Sequence, residues 1–472
     1  MPLIEPVPLL PPQQLGAVHF IAVGGAGMSG IAAMYAGLGV PTSGSDQADS
    51  ATLAALAGAG VRTFVGHDPA QLGDAATVVV SSAVRETNPE LAEARRRGLR
   101  VWHRSAALGA LMLGRRGIAV TGTHGKTTTS AMIATLLDAA RADPSYVVGS
   151  PLTSTGRSYR LGSGDAFVVE ADESDGSYLQ YPAEIAVITN VEADHLDNWG
   201  TAGAYADGFV RLATAAAVRT VVLNADDPGS AALIGPIRAA GKKVITFGRG
   251  PDADIALGTV RVGAGTATAQ LTSGGDTGPL TLVVPGEYNL LNAAAAYATG
   301  RELGLPGPAV RSALGTFTGT SRRFELVGEV GGARIYDDYA HHPTEVAATL
   351  TAARQLAGAG RVVACFQPHL FTRTRDFAAD FGRVLALADQ ILVLGIYPAR
   401  EDPIPGVTGR LVADAAAAVA GAERVSYAES VADGMEALAG LLRPGDLALT
   451  IGAGDVTRVG RELASRPAEG RR

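Results

Sequence analysis

Short apolar runs alternate along most of this chain with stretches in which apolar positions recur at helical spacing, the pattern of strands followed by helices. Val18-His19-Phe20-Ile21-Ala22-Val23 reads as a buried strand that runs through Gly24-Gly25-Ala26-Gly27-Met28-Ser29-Gly30 into an alanine-rich helix. Thr77-Val78-Val79-Val80-Ser81-Ser82 predicts another strand, and Glu90 to Arg97 an exposed helix. A second series begins near residue 108, with strands at Gly117 to Val120, Ala166 to Val169, Ile185 to Thr189 and Val221 to Leu223. After the first of these, Met132, Ile133, Leu136, Leu137 and Ala140 share one helix face. From 252 to 284, Gly/Thr-rich alternation predicts a small antiparallel excursion, and Pro285-Gly286-Glu287-Tyr288-Asn289-Leu290-Leu291-Asn292 then opens an alanine-rich helix. A boundary falls near Thr316 to Arg323. Beyond it, strands are expected at Arg334 to Tyr336, Arg361 to Phe366, Ile391 to Leu394 and Leu447 to Ile451, with a helix capped by Thr344. Such alternation predicts an α/β fold with parallel sheets.

A length of 472 residues suggests about three domains at the usual ~100–200 residues each. A hydrophobic content of 47% with 18% charged residues describes an ordered globular chain. The net charge of −7 and the absence of a lysine-rich block argue against a general nucleic-acid-binding surface. The single Cys365, inside Val362-Val363-Ala364-Cys365-Phe366, reads as a buried strand residue, so no disulfide framework forms within the chain. Met1-Pro2-Leu3-Ile4-Glu5-Pro6 lacks a basic start, and no run of ~18 apolar residues follows. A cytoplasmic protein without membrane insertion is expected.

Candidate chemistry gathers where strands end. Gly122-Thr123-His124-Gly125-Lys126-Thr127-Thr128 joins a strand to a helix N-terminus, where backbone N–H groups close round phosphate oxygens. There Lys126 can reach terminal phosphates and the Thr127 hydroxyl can ligate Mg²⁺. The spacing departs from the usual phosphate loop, since Val120 stands where the first glycine would be. Lysine occurs only at Lys126, Lys242 and Lys243, which marks Lys126 as a deliberate choice over arginine. The next three strands deliver Glu170-Ala171-Asp172-Glu173-Ser174-Asp175, then Asn190, Glu192, Asp194, His195 and Asp197, then Asn224-Ala225-Asp226-Asp227. Polar, mostly acidic ends on one sheet edge, beside the lysine, predict a site for Mg²⁺ and a polyphosphate.

The first loop satisfies G-x-G-x-x-G through Gly25, Gly27 and Gly30, with Asp46 near the offset of a ribose-binding acid, but this fingerprint does not separate NAD from a UDP-sugar. His67, Ser81 and Arg104 fall near strand ends, where each either touches that ligand or is a solvated loop residue. Asn289 and Asn292 share a helix face and either cap the first turn or reach an adenine. Asp337-Asp338-Tyr339-Ala340-His341-His342-Pro343 and Gln367-Pro368-His369-Leu370-Phe371-Thr372-Arg373-Thr374-Arg375 also follow strands. Adjacent His341 and His342 diverge and lack a second pair at metal spacing, which disfavours zinc.

In order along essentially the whole chain, the lysine loop, the Glu170 to Asp175 acids, Asn190 to His195, Asn289 with Asn292, Arg322-Arg323-Phe324 and Asp337 to Pro343 resemble the ATP-dependent Mur ligases of peptidoglycan synthesis. The opening glycine loop with Gly44-Ser45-Asp46, and Gln367-Pro368-His369 with Arg373-Thr374-Arg375, resemble the branch that joins L-alanine to UDP-N-acetylmuramate. The resemblance implies an N-terminal Rossmann-like domain for the UDP-sugar (1–107), a central P-loop ATPase-type parallel sheet for ATP (108–318) and a C-terminal Rossmann-like domain for the amino acid (319–472). It implies that Gly25, Ala26, Gly27, Met28, Ser29, Asp46, His67, Ser81 and Arg104 meet the UDP-sugar. ATP would be held by Gly122 to Thr128 with Asn289, Asn292, Arg323 and Asp338, and Mg²⁺ by Thr127, Glu170 and His195. Lys126, Glu170, His195 and Arg323 would serve catalysis, and Tyr339, His342, Arg373 and Arg375 would surround L-alanine in a monomer or homodimer. The chain departs from common family residues at Tyr288 (His), Ala340 (Gly) and Leu370 (Arg), and no lysine between 126 and 242 can carry the carbamate that positions a second metal in other members.

Two other readings compete. A recycling ligase that attaches a ready-made peptide to the same sugar shares most of these motifs. An NAD-binding oxidoreductase would explain the first loop alone and leave Lys126 and the acidic strand ends without a role.

Overall fold

The computed structural model describes residues 3–263, 265–399 and 401–466, with the side chain of Asp197 left out. Two compact units result: Met1–Gly258 with Gln270–Pro279 and Leu291–Thr316, and Thr259–Ala269 with Leu280–Leu290 and Phe317–Arg472. Among the described residues no helix is long and apolar enough to cross a membrane.

Strands β1 (Val18–Ile21), β2 (Thr42–Asp46), β3 (Arg62–Val65), β4 (Thr77–Val80) and β5 (Arg100–His103) form a parallel sheet in the order β3-β2-β1-β4-β5. A ten-stranded sheet follows, built from β6 (Arg116–Thr121), β7 (Ser145–Leu152), β8 (Arg157–Arg160), β9 (Ala166–Glu170), β10 (Ala183–Ile188), β11 (Thr220–Asn224), β12 (Lys243–Gly248), β13 (Ile255–Gly263), β14 (Thr266–Ser273) and β15 (Asp276–Leu282). Its order is β15-β14-β13-β12-β11-β10-β6-β9-β7-β8, so the Gly/Thr-rich stretch extends this sheet rather than standing apart. The third sheet holds β16 (Glu325–Val330), β17 (Ala333–Asp338), β18 (Val362–Phe366), β19 (Gln390–Leu394), β20 (Val425–Ala428) and β21 (Leu447–Ile451) in the order β16-β17-β21-β18-β19-β20, parallel except for β16.

Central strands such as Ile118-Ala119-Val120 and Ile185-Ala186-Val187-Ile188 are almost wholly buried, which is why they read as apolar runs without alternation: helices cover both faces. One apolar cluster runs from Leu15 and Phe20 through Leu108 and Met112 to Phe167, Tyr205 and Phe209, welding the first two sheets into one body. Helix Ala26–Gly37 meets the β7–β8 hairpin at Gly30, where a Cβ would lie 2.8 Å from the Tyr159 ring.

Two expectations are corrected. The helix Pro343–Ala357 is capped by His342, not Thr344. Pro343 has its φ preset for the first helical position, and His342 and Glu345 form a capping box across it. Helix Pro89–Arg96 does have exposed arginines, but Glu90 at its start is fully buried.

Gly30→Val is expected to force helix and hairpin apart and to destabilise the chain by about 1–3 kcal/mol, the usual result of overpacking. Thermal unfolding of the full-length variant checks this.

Candidate active site

The Lys126 loop takes its shape from β6 and from backbone conformations that glycine supplies. Gly125 is left-handed (φ 83°) at the N-cap of helix Lys126–Ala139, and a Cβ there would stand 2.6 Å from Asn292 Oδ1. From the neighbouring strand end, Asn190 Oδ1 accepts from His124 N at 2.9 Å while its Nδ2 donates to His124 O at 3.0 Å, clamping the loop's middle. Thr123 Oγ1 donates to Glu192 O at 2.9 Å, and His124 Nε2 lies 3.0 Å from the Glu192 carboxylate.

Lys126 Nζ donates to the carbonyls of Gly122 and Thr123 at 2.7 and 3.1 Å, and to Glu173 Oε1 at 3.0 Å. Burial alone would push this ammonium's pKa down, but the attraction of Glu173, Asp172 and Glu170 outweighs burial and holds it above the usual lysine value. The same burial pushes the Glu173 carboxyl up. We place the proton on Lys126, because Asp172 and Glu170 add to its field while the His195 ring, Glu173's other basic neighbour, stands 4.0 Å away. Tyr205 donates to Glu173 Oε1 at 3.3 Å, and Trp199 Nε1 to the Glu173 carbonyl at 2.9 Å. Sequence reasoning named Glu173 only as part of an acidic run; it is the fully buried member of that run.

Glu170 accepts from Thr127 Oγ1 at 3.0 Å, so two of the three expected metal ligands touch. His195 begins the short helix Leu196–Trp199 in a left-handed conformation (φ 53°), its N–H donating to Asp194 Oδ1 at 2.7 Å. The Asp197 side chain lies outside the described residues.

The first glycine loop and the acidic run that follows β9 converge on Arg104. Its Nη1 lies 3.2 Å from where a Cβ on Gly27 would be, and its Nη2 lies 3.6 Å from Asp172 Oδ2. Burial would push the Asp172 carboxyl up, yet Lys126, Arg104 and hydrogen bonding from Ser174 hold it below the usual range. Beside Arg104 a polar chain missed in the sequence crosses between the sheets: Ser82 Oγ donates to Asp175 Oδ2 at 2.9 Å and lies 3.1 Å from His103 Nε2, while His103 Nδ1 lies 2.9 Å from Ser105 Oγ. Burial, with Arg104 adding to it, pushes the His103 imidazole down to about 4. Ser81, the expected residue, sits at the end of β4 and accepts from Val84 N through its carbonyl at 3.0 Å. Gly25 caps the helix that carries Ala26, Gly27, Met28 and Ser29, and Asp46 Oδ2 accepts from Gly24 N at 2.8 Å, closing that loop. His67 turns its Nδ1 to Glu90 at 2.8 Å.

In the second unit, Asp338 accepts from Phe324 N at 2.7 Å and Ala340 N at 2.8 Å, and burial pushes its carboxyl up to about 6 despite Arg323. The guanidiniums of Arg322 and Arg323 lie 4.8 and 5.2 Å from the centroid of the Tyr339 ring. Tyr288 packs on this unit's core, and Asn289 Nδ2 donates to Pro285 O at 2.6 Å, bracing the first helical turn. Helix Phe371–Leu385 carries a buried Arg373, whereas Arg375 is exposed and paired with Asp376 at 2.7 Å.

Comparisons with known proteins agree with this architecture along the chain. Residues 17–116 match the domain described as Mur ligase family, catalytic domain; 120–300 match the Mur ligase middle domain; 322–454 match the Mur ligase, glutamate ligase domain. The UDP-N-acetylmuramate–L-alanine ligase of Cutibacterium acnes is 60% identical over 465 residues, covering 98% of each chain. That of Thermobifida fusca is 48% identical over 472 residues, covering 98% of this chain and 99% of its own. Among solved structures, the UDP-N-acetylmuramate-alanine ligase of Thermotoga maritima matches with a TM-score of 0.80 at 28% identity, over 95% of this chain and 98% of that one. A murein peptide ligase of Psychrobacter arcticus matches with a TM-score of 0.70 at 23% identity, over 96% and 100%, a likeness of fold alone.

The low pKa of His103 fixes the sign of a pH effect. Below pH 6.5 the unfolded chain takes up a proton that the folded chain accepts only near pH 4, so stability falls as pH drops through that window. His103→Asn is expected to flatten this part of the profile relative to the parent, as read by urea unfolding at pH 7 and pH 5.

Proposed function

The chain belongs to the Mur ligase family, and from that premise we propose that it joins L-alanine to the carboxylate of UDP-N-acetylmuramate with ATP, releasing ADP and phosphate, in peptidoglycan synthesis. The observation that carries this reading is the position of Arg104, between the Gly27 loop and the acids that surround Lys126. A nucleotide-sugar on the first glycine loop and a triphosphate on the second would face the same ground. We assign UDP-sugar binding to 1–107, ATP binding to 108–318 and amino-acid binding to 319–472.

A carboxylate does not acylate an amine unaided; it needs a leaving group. The muramate carboxylate attacks the γ-phosphorus of ATP, ADP departs, and the acyl phosphate is then attacked by the free amine of alanine, which expels phosphate. Both steps build negative charge on oxygen. Lys126 supplies an ammonium in a largely buried setting, where such charge is stabilised more than in water. On ATP binding it would exchange the Gly122 and Thr123 carbonyls for phosphate oxygens while Glu173 keeps it oriented. Arg104 would hold the diphosphate or carboxylate of the sugar nucleotide in register with the γ-phosphate.

The touching Thr127 hydroxyl and Glu170 carboxylate are oxygen donors that suit a hard divalent cation such as Mg²⁺, and we assign His195 as a further ligand. When bound, the ion would neutralise phosphate charge. Asn289, Asn292, Arg323 and Asp338 would complete the ATP site. Of the two arginines considered for the carboxylate of alanine, buried Arg373 is favoured, since Arg375 is spent on Asp376. Tyr339 and His342 would border the same amino acid.

The assay is phosphate release with UDP-N-acetylmuramate fixed and the acceptor varied. Alanine-dependent turnover is expected, and turnover with a tripeptide but not with alanine would assign the recycling reaction instead. Lys126→Ala should abolish turnover while UDP-sugar binding by calorimetry survives. Because it strands a buried carboxylate, at a cost of about 3–5 kcal/mol, Lys126→Ala with Glu173→Gln is the matched control for folding. Glu170→Ala should shift the magnesium titration of the rate to higher concentration.

A further inference from the structure

Behind the first nucleotide loop lies a second buried carboxylate with no part in the chemistry above. Glu90 is fully buried at the start of helix Pro89–Arg96. Its Oε2 accepts from Ser45 Oγ at 2.6 Å and lies 2.8 Å from His67 Nδ1; its Oε1 lies 3.3 Å from Nε2 of the fully buried His19. His19 Nδ1 in turn meets Ser43 Oγ at 2.9 Å, and the Gln71 amide nitrogen, in the orientation that satisfies its neighbours, stands 2.9 Å from Oε1. Burial would raise this carboxyl's pKa, but the bonds from His19, Ser45 and His67 hold it below the ordinary value, so it is an acceptor only.

An acceptor at 2.8 Å leaves Nδ1 of His67 one option, to carry the proton. In the neutral form of the ring Nε2 is then bare. His67 is about one-fifth exposed, and both of its described hydrogen bonds, to Glu90 and to Ser45 Oγ at 3.1 Å, use Nδ1, so the outward edge is the Nε2 edge. Its place in the sheet says what that edge meets. The glycine loop follows β1, Asp46 ends β2, and His67 follows β3, with Gly66 N donating to Asp46 O at 2.7 Å. Moving outward from β1, a nucleotide with its diphosphate on the helix N-terminus and its ribose at Asp46 carries its base to the β3 loop.

Resting on the UDP-sugar reading above, we infer that His67 Nε2 accepts the N3–H of uracil and that Glu90 is the positioning residue that keeps His67 in this tautomer. Cytosine has a bare N3 and would set lone pair against lone pair, so the pair selects a uridine over a cytidine nucleotide. A site built to bond a polar edge rejects the analogue that lacks it, because the buried group is left unpaired.

The test uses the full-length protein with UDP and CDP as probes, followed by calorimetry. Wild type should prefer UDP; His67→Ala and Glu90→Gln should each remove about tenfold or more of that preference. In the Glu90→Gln, His67→Ala double variant the loss should not exceed the larger single one, whereas a merely structural defect at Glu90 would add. In turnover, the loss should fall on KM for the UDP-sugar rather than on kcat. Long-range proton–nitrogen NMR of the wild type should place the proton on Nδ1 and show the Nε2 resonance moving on addition of UDP, a readout that needs no variant to fold. A proton on Nε2, or an unchanged UDP preference in His67→Ala, overturns this assignment alone. Failure of the wild type to bind UDP overturns it together with the function on which it rests.

Discussion

The site of the first unit depends on keeping one ammonium charged where water is scarce. Lys126 is held by Glu173 at 3.0 Å and by two loop carbonyls, with Asp172 and Glu170 adding to the field. A buried ion pair contributes little net stability, because desolvation of both partners offsets their attraction. Its use here is positional. The carboxylate points the ammonium into the loop, and Tyr205 and Trp199 keep Glu173 from turning away.

The carboxylates around that ammonium would repel one another and any incoming polyphosphate if they stood alone. Arg104 offsets this by reaching Asp172 from the other sheet, and the Ser82–Asp175 bond fastens the same two sheets a few residues away. Charge balance and sheet packing are therefore one problem in this unit. The apolar cluster brings helix Arg104–Met112 against the central sheet, and the polar chain at its N-terminal end sets which acids the arginine meets. A family defined by carboxylate activation needs that convergence, since an acyl phosphate made in open solvent would hydrolyse before an amine arrived.

Much of this was legible in the chain. Parallel strands buried on both faces leave uninterrupted apolar runs, and phosphate loops need glycine at fixed places, so β6, β9, β10, β11 and the Lys126 loop could be read directly. Polar residues buried by tertiary contact leave no such trace. Glu90 sits among charged neighbours on a short helix and looked solvated, and Ser82 stood one position from the expected Ser81. The cap of helix Pro343–Ala357 was misplaced because threonine is the commoner cap, while Pro343 puts the helix start one residue earlier and leaves His342 to close it. Asp338 shows the converse. It was legible as a strand-end acid, yet its oxygens hold the backbone of Phe324 and Ala340, so its place in the sequence did not reveal its structural duty.

Glu173 and Glu90 share one physical design. Each is a carboxylate with no exposure, each stands behind a basic side chain, and each leaves that side chain with one face directed away from the core. The basic group is what a ligand would meet, and the acid decides how it is met: as a charged ammonium in one case, as a ring with its Nδ1 proton fixed in the other. An acid exposed beside its partner would be screened and free to rotate, and would decide neither. Burial makes each acid costly to ionise and, for the same reason, strongly directive once hydrogen bonds and a cation have compensated it.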